Sequence, residues 1–209
     1  MIGGKRYGYG LLDQDDGVAL TSVPHPWSYE RESFTSLAYA LDRIQVEANG
    51  YQSAHDLVTQ YGLQKSRVFF IGNGGSAAIA SHMACDWQKN GGFTTFGPPD
   101  SALMSCYGND YGFDHIYSEV IERHGQLGDV LFAISSSGMS DDILRAVDAA
   151  KAKMMNVITL SGFGVGNFLR TKGQVNFYVP SNQYGVVEIA HLAILHSILD
   201  EVIEKQRAA

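Results

Sequence analysis

Residues 68–82 read VFFIGNGGSAAIASH, an apolar run that leads into a glycine-rich turn and then into a segment of helical composition. Runs of this length are typical of strands that are buried in a parallel sheet. Small residues in the turn allow backbone N–H groups to come close to a bound group. The stretch therefore predicts a strand, a tight turn and a helix, which together form the repeating unit of α/β folds.

Four further apolar runs continue this pattern along the chain. The five runs cover residues 68–71, 94–96, 130–134, 157–160 and 175–179, and segments of helical length lie between them at 76–89, 100–106, 140–153 and 167–171. Strands that alternate with helices indicate β-α-β units. The sequence therefore predicts an α/β fold in which helices flank a parallel sheet.

Both ends of the chain extend beyond this alternating region. From Ser28, apolar residues at three- and four-residue spacing up to Val46, and again over 54–63, predict two helices ahead of the sheet. Residues 184–206 predict a long final helix that is apolar on more than one face, so we expect it to pack on two sides, with another subunit as one candidate neighbour. Residues 1–27 lack periodicity and are predicted to form an irregular arm before a single domain over 28–209.

Composition narrows the class of protein. The chain has 209 residues, of which 45% are hydrophobic and 18% charged, and this composition suits one compact domain. The net charge is −7, the isoelectric point is about 5.4, and no cluster of basic residues is longer than the pair Lys5 and Arg6. This balance argues against nucleic acid and anionic membranes as partners.

The two cysteines give no sign of an oxidising compartment. Cys85 and Cys106 fall in predicted helices and belong to no C-x-x-C pair. No N-terminal apolar run suggests a signal peptide, and no stretch approaches the ~18 apolar residues of a membrane span. We therefore expect a soluble protein of the reducing cytoplasm.

Two of the predicted strands end in turns that suit a phosphate group. The first continues into Gly72-Asn73-Gly74-Gly75-Ser76, and the third continues into Ser135-Ser136-Ser137-Gly138-Met139-Ser140. A helix N-terminus attracts an anion, and serine hydroxyls donate to phosphate oxygens. Ser76 and Ser140 also suit ordinary helix caps, but two such turns at the carboxyl ends of parallel strands point to the ligand crevice of an open α/β sheet.

Two nucleotide-binding motifs fit these turns less well. No G-K-S/T follows either turn, which excludes a Walker-type loop. Gly72, Gly74 and Ala77 satisfy the G-x-G-x-x-A pattern, but dinucleotide binding also requires an acidic residue at the end of the second strand. The nearest acid, Asp100, follows two prolines and is better explained as a helix cap. We therefore expect no nucleotide cofactor.

Six pieces of the chain match one known family in order and spacing. They are FIGNGGSAA at 70–78, His82 on the following helix, SCYGNDYGF at 105–113, GDVLFAISSSGMS at 128–140, VITLSG at 157–162 and EIAHLAILH at 188–196. Residues 68–204 thus resemble the sugar isomerase (SIS) domain, and specifically the phosphoheptose isomerases. The resemblance implies a flavodoxin-like, five-stranded parallel sheet flanked by helices, a homotetramer with active sites between subunits, and a sugar phosphate substrate such as sedoheptulose 7-phosphate.

The resemblance also implies roles for individual residues. It places substrate-binding residues at Asn73, Gly74, Gly75, Ser76, Asn109, Asp110 and Glu188, and phosphate-binding residues at Ser135, Ser136, Ser137 and Ser140. The family's catalytic carboxylate corresponds to Asp86, and its catalytic histidine corresponds to His196. Some members hold a metal, usually zinc, on positions that here are His82, Asp86, Glu188 and His196, and these residue types suit zinc or another divalent ion.

Three positions depart from the family's pattern and leave the exact sugar open. Asp86 is one methylene shorter than the usual glutamate, Glu188 replaces a glutamine, and Asn90 stands where an arginine is expected. Glu188 and His196 are also eight residues apart, ~12 Å on a regular helix, too far for both to bind one ion from a single straight helix. Either Glu188 precedes the helix, or one ligand comes from another subunit.

The implied chemistry is consistent with these residue types. Interconversion of a ketose and an aldose moves a proton between adjacent carbons through an enediolate, and it requires a base and an acid. Asp86 and His196 supply both functions. His82 and Asp86 are four residues apart and project from one face of a helix, and they lie ~9 Å and ~15 Å beyond Ser76 along it. The phosphate and the reacting carbons are therefore predicted to bind at separate places.

Two alternatives remain at this level. One is an isomerase of another phosphorylated sugar in a surface-polysaccharide or secondary-metabolite pathway. The other is a sugar-phosphate-binding SIS regulator without catalysis, and the carboxylate of Asp86 argues against it. Taken singly, His82, Asp86 and His196 also suit packing or surface roles.

Overall fold

The computed structural model describes residues 28–49, 53–59 and 66–208 of the chain. The predicted arm over 1–27 lies outside these described residues. Within them, one mixed sheet of six strands carries helices on both faces, which confirms the predicted α/β class.

Five strands form the parallel part of the sheet. They are β2 (Arg67–Gly72), β3 (Thr94–Phe96), β4 (Val130–Ser135), β5 (Asn156–Ser161) and β6 (Val175–Tyr178), and they lie side by side in the order β6-β5-β4-β2-β3. All four neighbouring pairs are parallel. β4 and β5 are buried along their whole length, as expected where helices cover both faces. The five predicted runs match these strands to within one residue at each end.

A sixth strand corrects the expectation of five. β1 (Gln45–Ala48) pairs antiparallel with β6, with Gln45 opposite Tyr178. The sequence predicted helical structure up to Val46, but helix α1 (Ser28–Leu41) ends earlier, and Val46 lies in β1 with 53% of its surface exposed. An antiparallel edge strand can face water, so this strand carries no apolar run by which to recognise it.

The helices form one layer on each face of the sheet. α1, α2 (Ala54–Thr59), α3 (Gly75–Lys89) and α7 (Tyr184–Ala208) cover one face, and α4 (Ser101–Asp110), α5 (Ile116–His124) and α6 (Asp141–Ala152) cover the other. The sequence did not predict α5, and the predicted helix over 167–171 is a single 3-10 turn at Leu169–Thr171.

Alternate side chains of β2 anchor both helical layers, because successive residues of a strand point to opposite faces. Phe70 lies beneath α3, where its ring centroid is 4.9 Å from Phe132 and 5.7 Å from Trp87. Phe69 points to the other face and stacks on Phe96 at 4.5 Å. Aromatic packing of this kind holds α3 against the sheet and so fixes where its first turn begins.

α7 is the long final helix that the sequence predicted. It packs against α1, α2, α3 and β5, and its buried residues include His191 and Leu195. Ile189 lies on its outer side with 53% of its surface exposed. Nowhere in the described part of the chain does a helix combine the length and apolarity that a membrane span requires.

Candidate active site

A pocket of about 250 Å³ lies at the carboxyl ends of β2 and β4. These strands are neighbours, with Gly72 opposite Ile134, so the turns that follow them lie side by side. The two turns and the start of α7 line the pocket with Asn73, Gly74, Gly75, Ser76, Ser135, Ser136, Ser137, Ser140, Tyr184 and Glu188. Open α/β sheets bind their ligands at this position.

The first turn depends on glycine at two positions. Gly74 has a φ of 54°, which side-chain-bearing residues rarely adopt. At Gly72, a β-carbon would lie 2.7 Å from the backbone of Ser76, so no side chain fits there. Gly74 also occupies the N-cap position of α3 without a side-chain cap. The N-terminus of α3 therefore opens into the pocket, and its partial positive charge favours an anionic group there.

The second turn concentrates hydroxyl groups at the start of α6. The hydroxyls of Ser135 and Ser140 are 3.3 Å apart, and Ser137 Oγ accepts a hydrogen bond from the backbone N–H of Met139 at 3.2 Å. Ser140 holds the N-cap position of α6, but its side chain makes no capping hydrogen bond. The Ser136 hydroxyl is buried and has no hydrogen-bond partner among the described residues. Donors for a bound oxyanion are thus concentrated in this turn.

A buried carboxylate connects the two turns. Asn73 Nδ2 donates to both carboxylate oxygens of Asp142, at 3.0 and 2.8 Å, and Asp142 is only 2% exposed. Burial raises the pKa of Asp142, and hydrogen bonds from Asn73 and from backbone N–H groups act in the opposite direction. The Tyr117 hydroxyl donates to the carbonyl of Gly72, and burial together with the nearby charge of Asp142 raises the pKa of Tyr117 to about 12.

A second cluster of polar side chains lies farther along α3. His82 and Asp86 from α3 and His196 from α7 place their candidate ligand atoms within 4.8 Å of one another. His82 Nε2 is 3.4 Å from Asp86 Oδ2, and the rings of His82 and His196 are 5.4 Å apart. The side chain of His82 is 52% exposed, and that of Asp86 is 23% exposed. The cluster is therefore accessible to a ligand from solvent.

The pocket and this cluster lie along the same pair of helices. Glu188 contacts Gly75 at one end, and His196 contacts His82 at the other, so α3 and α7 run side by side in the same direction. Seven residues separate the two contact points on α3, which corresponds to ~10 Å at ~1.5 Å per residue. A ligand with its anionic group in the pocket must therefore extend along α3 to reach Asp86.

The structure separates Glu188 from the other three candidate metal ligands. α7 is continuous from Tyr184, so Glu188 and His196 lie on one helix, ~12 Å apart along its axis. The Glu188 carboxylate sits against Gly75, where a β-carbon would overlap it. Within the described part of a single chain, Glu188 lines the pocket and does not join the cluster of His82, Asp86 and His196.

Two other predicted substrate-binding residues lie apart from the pocket. Asn109 and Asp110 are exposed at the end of α4, and Asn109 Nδ2 donates to Asp110 Oδ1 at 2.8 Å. Neither residue lines the pocket or belongs to the histidine–carboxylate cluster of the described chain.

Sequence reasoning missed two residues that shape the pocket. Tyr184 lines it, and the only sequence signal was its spacing of four residues from Glu188, which places both on one helix face. Asp142 accepts hydrogen bonds from the Asn73 side chain, but an acidic residue in the first turn of a helix is ordinary. Nothing in the sequence distinguished Asp142 from its neighbour Asp141.

Comparisons with known proteins identify the family of this chain. A family model described as the SIS domain matches residues 34–162. The phosphoheptose isomerase of Buchnera aphidicola subsp. Acyrthosiphon pisum is 36% identical over 171 residues, which cover 79% of this chain and 86% of that protein.

Solved structures give the same result. The structure of a phosphoheptose isomerase from Neisseria gonorrhoeae superposes with a TM-score of 0.66 at 28% identity, covering 83% of this chain and 94% of the other. The structure of a phosphoheptose isomerase from Francisella tularensis gives 0.67 at 25% identity, covering 85% and 95%.

Proposed function

The chain belongs to the SIS domain family, and from this membership we propose that it converts sedoheptulose 7-phosphate into a heptose 7-phosphate. At the coarser level it is a sugar-phosphate isomerase, like the phosphoheptose isomerases that it resembles in sequence and structure. One observation carries the finer assignment. A hydroxyl-lined pocket and an acid–base cluster lie along the same two helices, ~10 Å apart.

The pocket is suited to the phosphate group. The serines of the second turn offer hydroxyl donors, and the N-termini of α3 and α6 add partial positive charge. Hydrogen bonds to a charged group contribute about 1.5–3 kcal/mol each. Phosphate binding therefore supplies much of the affinity and leaves the rest of the sugar to extend along α3.

The cluster on α3 and α7 is suited to the proton transfer. Asp86 removes a proton from the first carbon of the ketose while His196 gives a proton to the carbonyl oxygen, which leaves an enediol. His196 then takes the proton of the first hydroxyl, and Asp86 returns a proton to the second carbon. The products are the aldose and the two side chains in their initial protonation states. His196 gives its proton as an imidazolium and takes one back as the neutral imidazole, and histidine can hold either form near neutral pH.

The donor set of the cluster fits a divalent metal ion. Two imidazoles and one carboxylate within 4.8 Å are ligands that zinc uses, and three protein ligands leave a coordination position for substrate. We propose that His82, Asp86 and His196 hold zinc or a similar ion. When bound, such an ion supplies Lewis-acid polarisation of a sugar oxygen.

The proposal also covers the oligomeric state of the protein and its cellular compartment. Phe34 and Tyr39 of α1 are 70% and 58% exposed, and Ile189 of α7 is also exposed, so apolar surface is available for contact between subunits. We propose a homotetramer with active sites between subunits. The free, exposed Cys85 and Cys106 suit the reducing cytoplasm.

A substrate screen tests the proposed function. Purified protein is incubated with phosphorylated ketoses of different chain lengths, and the aldose products are measured by mass spectrometry. We expect the highest turnover with sedoheptulose 7-phosphate. Faster turnover of another ketose phosphate would show that the enzyme acts on another phosphorylated sugar. Two features favour that result: the carboxylate of Glu188 in the pocket and the short side chain of Asp86.

The screen needs a control for host isomerases. The Asp86→Asn variant, purified in the same way, keeps the pocket and loses the base. If wild-type protein bound ketose phosphates without converting any of them, the non-catalytic regulator would be the correct function.

A further inference from the structure

We propose that Asp142 is a positioning residue that holds the Asn73 side chain in one orientation and ties the turn after β2 to the turn after β4. The proposal rests on the proposed function in that these two turns form the phosphate pocket. The contact joins residues that are 69 positions apart in the chain and belong to different β-α units. It is therefore a link between the two halves of the pocket.

The geometry of the pair is that of a charge-assisted hydrogen bond. Asn73 Nδ2 lies 3.0 Å from one carboxylate oxygen of Asp142 and 2.8 Å from the other. Such bonds are about twice as strong as those between neutral groups. Since Asp142 is 2% exposed, water does not compete for its oxygens. The Tyr117 hydroxyl donates to the Gly72 carbonyl, so Asn73 follows a strand end that is itself held in place.

A carboxylate at this place works against the electrostatics of the pocket. An anion beside a phosphate site repels the ligand, and burial of an ionised group is unfavourable unless it is hydrogen-bonded. Burial does raise the pKa of Asp142, while bonds from Asn73 and the Ile143 N–H favour the ionised form. A neutral residue of the same size would avoid both the repulsion of the phosphate and the cost of burying a charge. The carboxylate differs from such a residue in that it offers two acceptor oxygens to the amide of Asn73.

The pair determines what Asn73 presents to the substrate. An amide has two donors on nitrogen and an acceptor on oxygen, and here one N–H of Asn73 is shared between the two carboxylate oxygens of Asp142. Among the described residues, no donor is bonded to Asn73 Oδ1. Asn73 therefore keeps Oδ1 as an acceptor, which suits a sugar hydroxyl, and its second N–H points away from the carboxylate. Loss of the carboxylate would allow the amide to rotate and present its nitrogen.

Two aspartates in the first turn of α6 provide a matched experiment. Asp141→Asn removes an exposed charge beside the pocket, and Asp142→Asn removes the buried one while keeping the size of the side chain. If charge repulsion alone mattered, both changes would lower KM. We expect Asp141→Asn to leave KM equal or slightly lower, and Asp142→Asn to raise KM by about tenfold or more with kcat changed much less. A KM for folded Asp142→Asn equal to or below that of wild type would overturn the proposal.

Hydrogen exchange tests the link without any substrate. In Asp142→Asn, the backbone amides of residues 73–77 should exchange at least about tenfold faster than in wild type, because the tie to α6 is weakened. In Asn73→Ala, the amides at the start of α6 should show the same increase. If Asp142→Asn does not fold, exchange in Asn73→Ala alone tests the link. Unchanged exchange in either folded variant would overturn the link. If exchange were faster in the variants but the wild-type protein converted no ketose phosphate, the proposed function would be rejected. The link between the two turns would still be supported.

Discussion

The hydroxyls of Ser136 and Ser140 do not make the hydrogen bonds that are usual at their positions in a folded protein. Ser136 Oγ is buried without a hydrogen-bond partner among the described residues, and Ser140 occupies an N-cap position without capping the helix. Most buried polar groups are hydrogen-bonded, and serine at an N-cap usually bonds to the helix. Both residues line the pocket. We interpret them as groups that are held ready for phosphate oxygens at some expense in stability.

The Ser136→Ala variant tests this interpretation. Because the hydroxyl has no partner among the described residues, its removal should leave the free energy of unfolding unchanged or slightly higher. The KM for a ketose phosphate should rise by about tenfold or more, since a hydrogen bond to a charged group is lost. Urea unfolding and steady-state kinetics measure the two quantities, and Ser105→Ala, exposed on α4, is the control. An unchanged KM would show that Ser136 does not contact the phosphate.

Individual residues could be assigned from sequence only where a motif surrounded them. The serines and glycines of the two turns line one pocket, as expected where parallel strands end at the same edge of a sheet, and their contacts with a substrate stay a prediction. The separation of Glu188 from His82 could not be decided in advance, since it depends on where α7 begins. The link between Asp142 and Asn73 was also beyond prediction, because it depends on the adjacency of two turns 69 residues apart.

At the scale of elements, the buried strands were the most predictable part of the fold. A strand with both faces covered must be apolar throughout, so β4 and β5 stand out in the sequence. β1 was misread because it is short and exposed and follows α1 after a few residues. α5 was missed because its apolar residues Ile116, Tyr117 and Ile121 were not recognised as a helical pattern ahead of β4.

His191 connects α7 to the end of β5 and should make stability depend on pH. Its Nε2 lies 3.2 Å from the Ser161 carbonyl, and complete burial lowers the pKa of His191 to about 4. The unfolded chain binds a proton near pH 6.5 and the folded chain does not, so stability is lost as pH falls from 6.5 towards 4 and is fully present above 6.5. The loss attributable to His191 between pH 7 and pH 5 is about 2 kcal/mol.

Urea unfolding at the two pH values measures this contribution. The His191→Gln variant should be less sensitive than wild type to the change from pH 7 to pH 5 by about 2 kcal/mol. His124→Gln, an exposed position on α5, should keep the wild-type sensitivity. Equal pH sensitivity in wild type and His191→Gln would mean that His191 is protonated inside the folded protein.

In the whole molecule, α3 and α7 run side by side in the same direction and together carry the phosphate pocket and the histidine–carboxylate cluster. The proposed metal site has donors from both helices, so an ion bound there should stabilise the fold by linking them. We expect chelation to lower the melting temperature of the wild-type protein. His82→Asn should lower the metal content and remove the response to chelator, while His124→Gln should behave as wild type. Protein that is purified without chelators, contains no divalent metal and keeps its melting temperature in chelator would reject the site.

We propose that Asp86 on α3 moves a proton on a sugar whose phosphate lies in the pocket. The most direct test is the conversion of sedoheptulose 7-phosphate in deuterated water by wild type, Asp86→Asn and Asp86→Glu, followed by NMR of the aldose. We predict that wild type forms heptose 7-phosphate with deuterium at the second carbon and that Asp86→Glu keeps substantial activity. Asp86→Asn should be slower by about 10² to 10⁴, the usual effect of losing a general base. Turnover by Asp86→Asn at the wild-type rate would mean that Asp86 does not move the proton.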